Sequence, residues 1–303
     1  MFGVEDVDVD LRSAYRIVQL RASLRLRNRR RVAAGLATAA AITAVAFFTP
    51  LGGYASQLLT VFEPREFVPL ALTSADRNQL RLAPELVDLG TLRWSRPMTP
   101  RSMSLAKLSG LTGFHPRLPA DARLLPSGGV RYSWLPAGTL SFTFSAAKAS
   151  AYERRVHRHL PDMPPGLDGS TVQVTSGPGM VAAYGTRPNE NRVTIVETRR
   201  PRVTTTGVSL DRLERYLFSL PGLPLDVVKQ LRAISDPSTM LPVSFQIDRT
   251  TAEPVAVDGT QGLAIGDQTG LGAGVLWHKA GVLYALGGTI EASKALELAD
   301  GLR

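Results

Sequence analysis

The chain has 303 residues, no cysteine, and a formal charge of +9 from 35 basic and 26 acidic residues. Lacking cysteine, it is without disulfides, thiolate metal ligands and cysteine nucleophiles. Arginine outnumbers lysine 30 to 5, with no basic patch interleaved with aromatics, so the composition reads as codon bias rather than a nucleic-acid face.

Residues 1–31 begin acidic (Glu5, Asp6, Asp8, Asp10) and end in the cluster Arg25, Arg27, Arg29, Arg30 and Arg31. From Val32 to Phe62 no residue is charged, and residues 32–51 read VAAGLATAAAITAVAFFTPL. At helical rise about 20 such residues span a bilayer core of roughly 30 Å. The arginines then act as topology determinants that keep the N-terminus cytoplasmic and residues 52–303 outside. Eight of the twenty residues are alanine, near neutral for insertion, so the segment leans on its arginines. The alternatives are an Ala-rich helix buried in a soluble core and a cleaved signal peptide; a 31-residue leader ahead of the apolar run favours a retained anchor over cleavage. The basic tail reads either as an amphipathic helix on anionic headgroups or as a short solvated topology signal.

Residues 52–112 are expected to form a juxtamembrane segment and linker. Within it Ser56–Phe62 predicts a short helix, Phe67–Leu72 a strand, and 95–113 a polar loop. Residues 113–206 form a first α+β part. Gly113–Pro126 is extended and broken by prolines. Strands follow at Val130–Trp134 and Thr139–Ser145 around the turn Pro136-Ala137-Gly138. A helix over 146–160 stops at Pro161, and strands at Thr171–Thr175 and Met180–Tyr184 flank Ser176-Gly177-Pro178-Gly179. Arg192–Thr198 alternates as another strand.

Residues 207–303 form the C-terminal part. Ser209 caps a helix with Leu210, Leu213, Leu217 and Leu220 on one stripe, and Pro224 opens a second that ends at Asp236-Pro237. Strands are expected at Val243–Ile247, Ala252–Val257 and Gly262–Ile265, then a hairpin of Gly274–Trp277 with Val282–Leu286. A final helix from Glu291 buries Ala292, Ala295, Leu296, Ala299 and Leu302. Without βαβ alternation, the fold class is α+β with a mostly antiparallel sheet.

Motifs that carry chemistry are sparse. Gly270-x-Gly272-x-Gly274 precedes a strand, whereas a phosphate loop must open a helix. His157 and His159 are two apart on the expected helix and diverge by about 200°. With only His115 and His278 besides, no metal or cofactor is expected. There is no GxSxG elbow and no defensible acid–base carboxylate pair, so the chain reads as non-enzymatic. Trp277 and Tyr284 face each other across the hairpin. They are candidate ligand-groove aromatics, with cross-strand core packing as the plainer reading.

The order Val255-Ala-Val-Asp-Gly259, Gly274-Val-Leu-Trp277, Gly281-Val-Leu-Tyr284-Ala-Leu-Gly287 and an Ala/Leu helix from Glu291 to Leu302 carries a resemblance. It resembles a bacterial domain of unknown function found in single-pass anti-sigma-factor-like regulators and sporulation-associated lipoproteins. That domain is similar to lipoprotein-carrier folds. The resemblance implies a curved antiparallel sheet with covering helices, and its motifs are structural, so it supplies no catalytic residue. It also implies a membrane-anchored sensory or regulatory module. The alternative is an anchored carrier or chaperone holding a lipid or peptide in the curved sheet. Partners expected are the bilayer through residues 32–51, and a cytoplasmic regulatory protein or an extracytoplasmic ligand. Regulators of this layout have a folded cytoplasmic domain, for which 31 residues are too few, so direct sigma-factor binding by the tail is in question.

Overall fold

The computed structural model describes residues 65–95, 99–185, 191–235 and 239–303. The arginine cluster, the apolar run 32–51, the expected helix Ser56–Phe62 and the stop at Asp236-Pro237 lie outside them. Among the described residues no helix is long and apolar enough to cross a membrane.

The fold is α+β with mostly antiparallel strands. In chain order it runs β1 (Glu66–Leu72), α1 (Ser74–Leu80), α2 (Leu86–Leu89), β2 (Gly90–Trp94), β3 (Arg101–Ser102), α3 (Leu105–Thr112), then a 3-10 turn at Ala122–Leu124. It continues with β4 (Val130–Leu135), β5 (Gly138–Phe144), α4 (Ala146–Val156), β6 (Thr171–Ser176), β7 (Gly179–Tyr184), β8 (Val193–Arg199) and β9 (Arg202–Thr206). Two helices follow, α5 (Leu210–Ser219) and α6 (Leu225–Arg232). The chain ends with β10 (Met240–Gln246), β11 (Thr250–Val257), β12 (Thr260–Asp267), β13 (Ala273–Lys279), β14 (Val282–Gly288) and α7 (Ala292–Asp300).

An eight-stranded sheet has the order β11-β12-β13-β14-β8-β7-β4-β3, a four-stranded sheet the order β2-β5-β6-β9, and β1 pairs parallel with β10. The two larger sheets are joined by strands that turn a shared corner. Leu135 faces Gly179 and, past the bend, Gly138 faces Ser176, so both strands use equal numbers of residues to round it. The same holds from Gly179–Thr198 to Thr175–Arg202. Each strand carries a proline at the bend (Pro136, Pro178, Pro201), which lacks the N–H the ladder would need and so interrupts pairing there. The expected turns at 136–138 and 176–179 are therefore corners between sheets rather than hairpins. At the bend the backbones come so close that a side chain on Gly177 would overlap Arg199 and one on Gly179 the carbonyl of Glu197.

Burial separates three clusters. Helices α4, α5 and α6 cover one side of the four-stranded sheet around Phe142, Phe144, Tyr152, Leu213 and Val227. One face of the eight-stranded sheet packs against α7 and α3 through Trp277, Leu286, Leu298 and Leu108. Its opposite face meets β1 and β10 through Leu263, Leu276, Phe67 and Val243, joined by Val203 of the four-stranded sheet. Strand β13 is thus buried on both faces, which is why its sequence is apolar without alternation.

Several local expectations are corrected. The 95–113 stretch contains helix α3, which buries only Leu108 and Thr112 and so leaves little apolar pattern to see. Helix α4 ends before Pro161, because His157 takes the left-handed conformation (φ 51°) and closes the helix with its backbone N–H on Glu153. His157 and His159 therefore do not sit on a helix, and His159 lies 2.9 Å from a Glu153 carboxylate oxygen. In α7 the inward side chains include Leu298, whereas Ala292 is exposed.

Candidate functional site

The covered face of the eight-stranded sheet carries a row of large side chains brought side by side by the strand register. Trp277 stands opposite Tyr284, Tyr284 opposite Glu197, Glu197 opposite Met180, and Met180 opposite Trp134. The Trp277 and Tyr284 rings stack with centroids 5.0 Å apart and planes 11° from parallel. Trp277 is fully buried beneath α7, so in this structure the pair is core rather than the wall of an open groove. The indole N–H groups of Trp277 and Trp134 have no hydrogen-bond partner.

Glu197 is the anomaly of the row, a carboxyl with 0% exposure among apolar side chains. The Arg117 backbone N–H donates to both its oxygens, at 2.9 and 3.2 Å. Burial pushes its pKa up to about 8, against the opposing pull of that N–H and of the Arg117 charge. Burial also raises the Tyr284 and Tyr184 hydroxyls, with the nearby Glu197 charge acting in the same sense; Tyr132 contributes at Tyr184.

Arg117 belongs to the proline-bearing segment 113–125, which lies as a strap over this face. The strap pairs with the chain's last residues: Leu118 and Arg303 exchange N–H···O bonds of 2.9 Å, and the Ala120 N–H reaches Gly301 O at 3.0 Å. The Arg117 guanidinium ion-pairs with Asp258 in the β11–β12 turn and donates to Leu302 O at 2.7 Å. Its central carbon lies 5.8 Å from the Tyr284 ring centre. Lys279 joins from the end of β13, 2.7 Å from both the Asp258 carboxylate and its carbonyl oxygen. Burial works to raise the Asp258 pKa, but hydrogen bonds from Arg117 and Lys279 outweigh it and hold the carboxyl below its ordinary value. At the strap's start the Arg199 guanidinium donates to Gly113 O and lies over the Phe114 ring. One arginine thus ties strap, C-terminus, hairpin turn and sheet together.

The register expected for Trp277 and Tyr284 is the one observed. Arg25, Arg27, Arg29, Arg30 and Arg31 lie outside the described residues. Arg117, Glu197, Asp258 and Lys279 were not singled out by sequence. A glutamate closing the run Val193–Glu197, buried on both faces, was the available signal. His278, between Trp277 and Lys279 on β13, is half-buried, its pKa lowered first by burial and then by Arg200 and Arg65. Among the described residues no three His, Asp or Glu side chains gather as a metal site. No protein-family model matches this chain, and neither does any curated protein or solved structure.

Proposed function

We propose that this protein is a membrane-anchored extracytoplasmic sensory or regulatory module, with residues 32–51 as a single N-in transmembrane helix and residues 65–303 as its binding domain. The observation that carries the reading is the strap held by Arg117. A sensor needs an element with two arrangements that a ligand can bias. The strap is such an element: its middle is fastened by the Arg117 guanidinium to the Asp258 carboxylate and the Leu302 carbonyl, beside its backbone bonds to 301–303, and a ligand competing for Arg117 loosens it there. The run 32–51 behind five arginines supports the placement, because it offers a bilayer span with cytoplasmic flanking charge. The carrier alternative asks for an acyl-sized cavity under α7, where Trp277, Leu298 and Leu302 now pack.

The test is cross-linking and affinity capture of the full-length protein from native membranes, beside a version lacking residues 1–24. A cytoplasmic regulator captured only by the full-length form supports signalling through the tail. Recovery of the same extracytoplasmic lipids or proteins with both forms overturns it in favour of the carrier.

A further inference from the structure

Two carboxyls lie beside Arg117, and one of them holds its guanidinium. Asp258 has that ion pair and a second cation in reserve, Lys279, at 2.7 Å. Among the described residues the only donor to Glu197 is the Arg117 backbone N–H, shared between two oxygens that are sealed from water. A neutral carboxyl is served by this arrangement, since one oxygen carries the proton. An ionised one presents about four acceptor sites and a full charge to a single neutral donor. The surroundings offer Glu197 little else. Arg199, two residues along β8, is held on Gly113 O at the strap's start. Strand β14 brings Tyr284, and β7 brings Tyr184 with Tyr132 of β4 beside it. Helices α7 and α3 turn Leu298 and Leu108 to this face, and the strap's His115 is exposed. Beyond Arg117 stand Asp258, Lys279 and Asp300, whose carboxylate accepts the Asp258 N–H at 2.6 Å. The cation whose charge acts on Glu197 is Arg117 itself.

We propose that Glu197 is a built-in competitor for the strap's fastening: on releasing its proton to solvent it draws the Arg117 guanidinium off Asp258 and Leu302 O, and the strap loosens at its middle in alkaline surroundings. A charge sealed from water is costly unless a cation reaches it. Asp258 can yield the guanidinium because Lys279 stays with it. Leu302 O then loses the donor that holds it at 2.7 Å, and the pairing of Leu118 and Ala120 with residues 301–303 loses its neighbour. The sign follows from burial, which places the closed-state pKa at about 8 against an ordinary 4.5. The closed strap holds the proton more tightly than the open one, so opening grows as pH rises from 4.5 to 8 and levels off above. The proposal rests on the strap as a two-state element and not on the membrane placement.

The experiment is hydrogen exchange of the full-length protein in detergent from about pH 5 to 8, corrected for intrinsic base catalysis, on the native chain, Glu197→Gln and Lys279→Met. The amides of 117–120 and 301–303 should lose protection by up to about tenfold per pH unit in the native chain and stay level in Glu197→Gln. They should also exchange at least about tenfold faster than the amides of β5, as a local opening does. Lys279→Met leaves Asp258 wholly dependent on Arg117, so at pH 8 the strap should open less than in the native chain; a merely structural lysine would let it open more. A level native profile, the same slope in Glu197→Gln, a looser strap in Lys279→Met, or one exchange rate for strap and β5 overturns the proposal. Should Glu197→Gln fail to fold, carboxyl-carbon NMR of the native chain carries the test. A glutamate titrating well above 4.5 in step with the lost protection supports the switch, and all glutamates titrating near 4.5 overturn it. Arg117→Ala reports the strap separately: strap amides freed at every pH in that variant, beside a level native profile, sink the switch and leave the strap reading standing.

Discussion

Glu197 takes the backbone N–H of Arg117 on both carboxyl oxygens while fully sealed from solvent. A buried carboxyl of this kind makes stability depend on pH in a definite direction. Its pKa is about 8 in the folded protein against an ordinary 4.5, so the folded state holds the proton more tightly. The stabilisation is complete below about pH 4.5 and is lost as pH rises toward 8, at up to about 1.4 kcal/mol per pH unit. Replacing Glu197 by Gln fixes the neutral form. Urea unfolding at pH 5 and pH 8 should show a fall of a few kcal/mol for the native chain, at most roughly 4. Glu197→Gln should show a distinctly flatter profile and be the more stable protein at pH 8. Parallel profiles for the two would sink the assignment.

Arg117 makes the strap conditional. Removing its side chain leaves Asp258, whose side chain is 8% exposed, with Lys279 as its remaining cation. Arg117→Ala should cost about 2–4 kcal/mol, since breaking one side of a largely buried pair strands the other. Arg117→Lys should recover only part of this, because an ammonium cannot serve Asp258 and Leu302 O in a planar fork. A double-mutant cycle with Asp258→Asn should return a coupling of about 1–3 kcal/mol. Limited proteolysis should cut the Arg117→Ala protein within 113–125 earlier than the native one; identical cleavage in both would remove the strap from the mechanism.

The Trp277–Tyr284 stack bears on the core in a way two substitutions separate. Trp277→Ala should cost about 3–5 kcal/mol, the usual loss for a fully buried aromatic. Trp277→Phe should cost under about 1.5 kcal/mol. The stacked ring is kept and the N–H that finds no partner is removed, offsetting part of the cavity left behind. Equal losses would mean that the indole N–H has a partner.

Much of this architecture was legible where one face of a strand is wet. Gly138–Phe144 alternates buried and half-buried along its whole length, and the sequence GTLSFTF says so directly. The β13–β14 hairpin was equally plain from its turn. Partner choice was not legible, because the period of a strand states which face is buried but not which strand lies beside it. That is why Pro136 and Pro178 read as hairpin turns although both mark corners between sheets. Helix α3 escaped because its Gly110 and its neighbouring serines look like loop, and one buried leucine does not make a stripe. At the candidate site the hairpin pair was visible from spacing alone. Arg117 and Asp258 meet from 141 residues apart, a contact that no local pattern encodes.

Two glycines make opposite predictions from the same substitution. Gly288 ends β14 against the strand that begins at Val193, and a Cβ there would overlap the carbonyl oxygen of Arg192, which accepts the Thr289 N–H at 2.9 Å. Backbone in a paired ladder cannot withdraw without breaking bonds, so Gly288→Ala should cost about 3 kcal/mol through overpacking. Gly110 lies exposed inside α3 with nothing within 4 Å of its would-be Cβ, and its φ is not positive. Its main effect is the extra backbone freedom it gives the unfolded chain, so Gly110→Ala should stabilise by about 0.5–1 kcal/mol. Thermal unfolding of the two variants beside the native chain decides the matter. A neutral Gly288→Ala would mean that β8 and β14 do not approach as closely as their register requires, and a destabilising Gly110→Ala would mean that residues 105–112 are not helical.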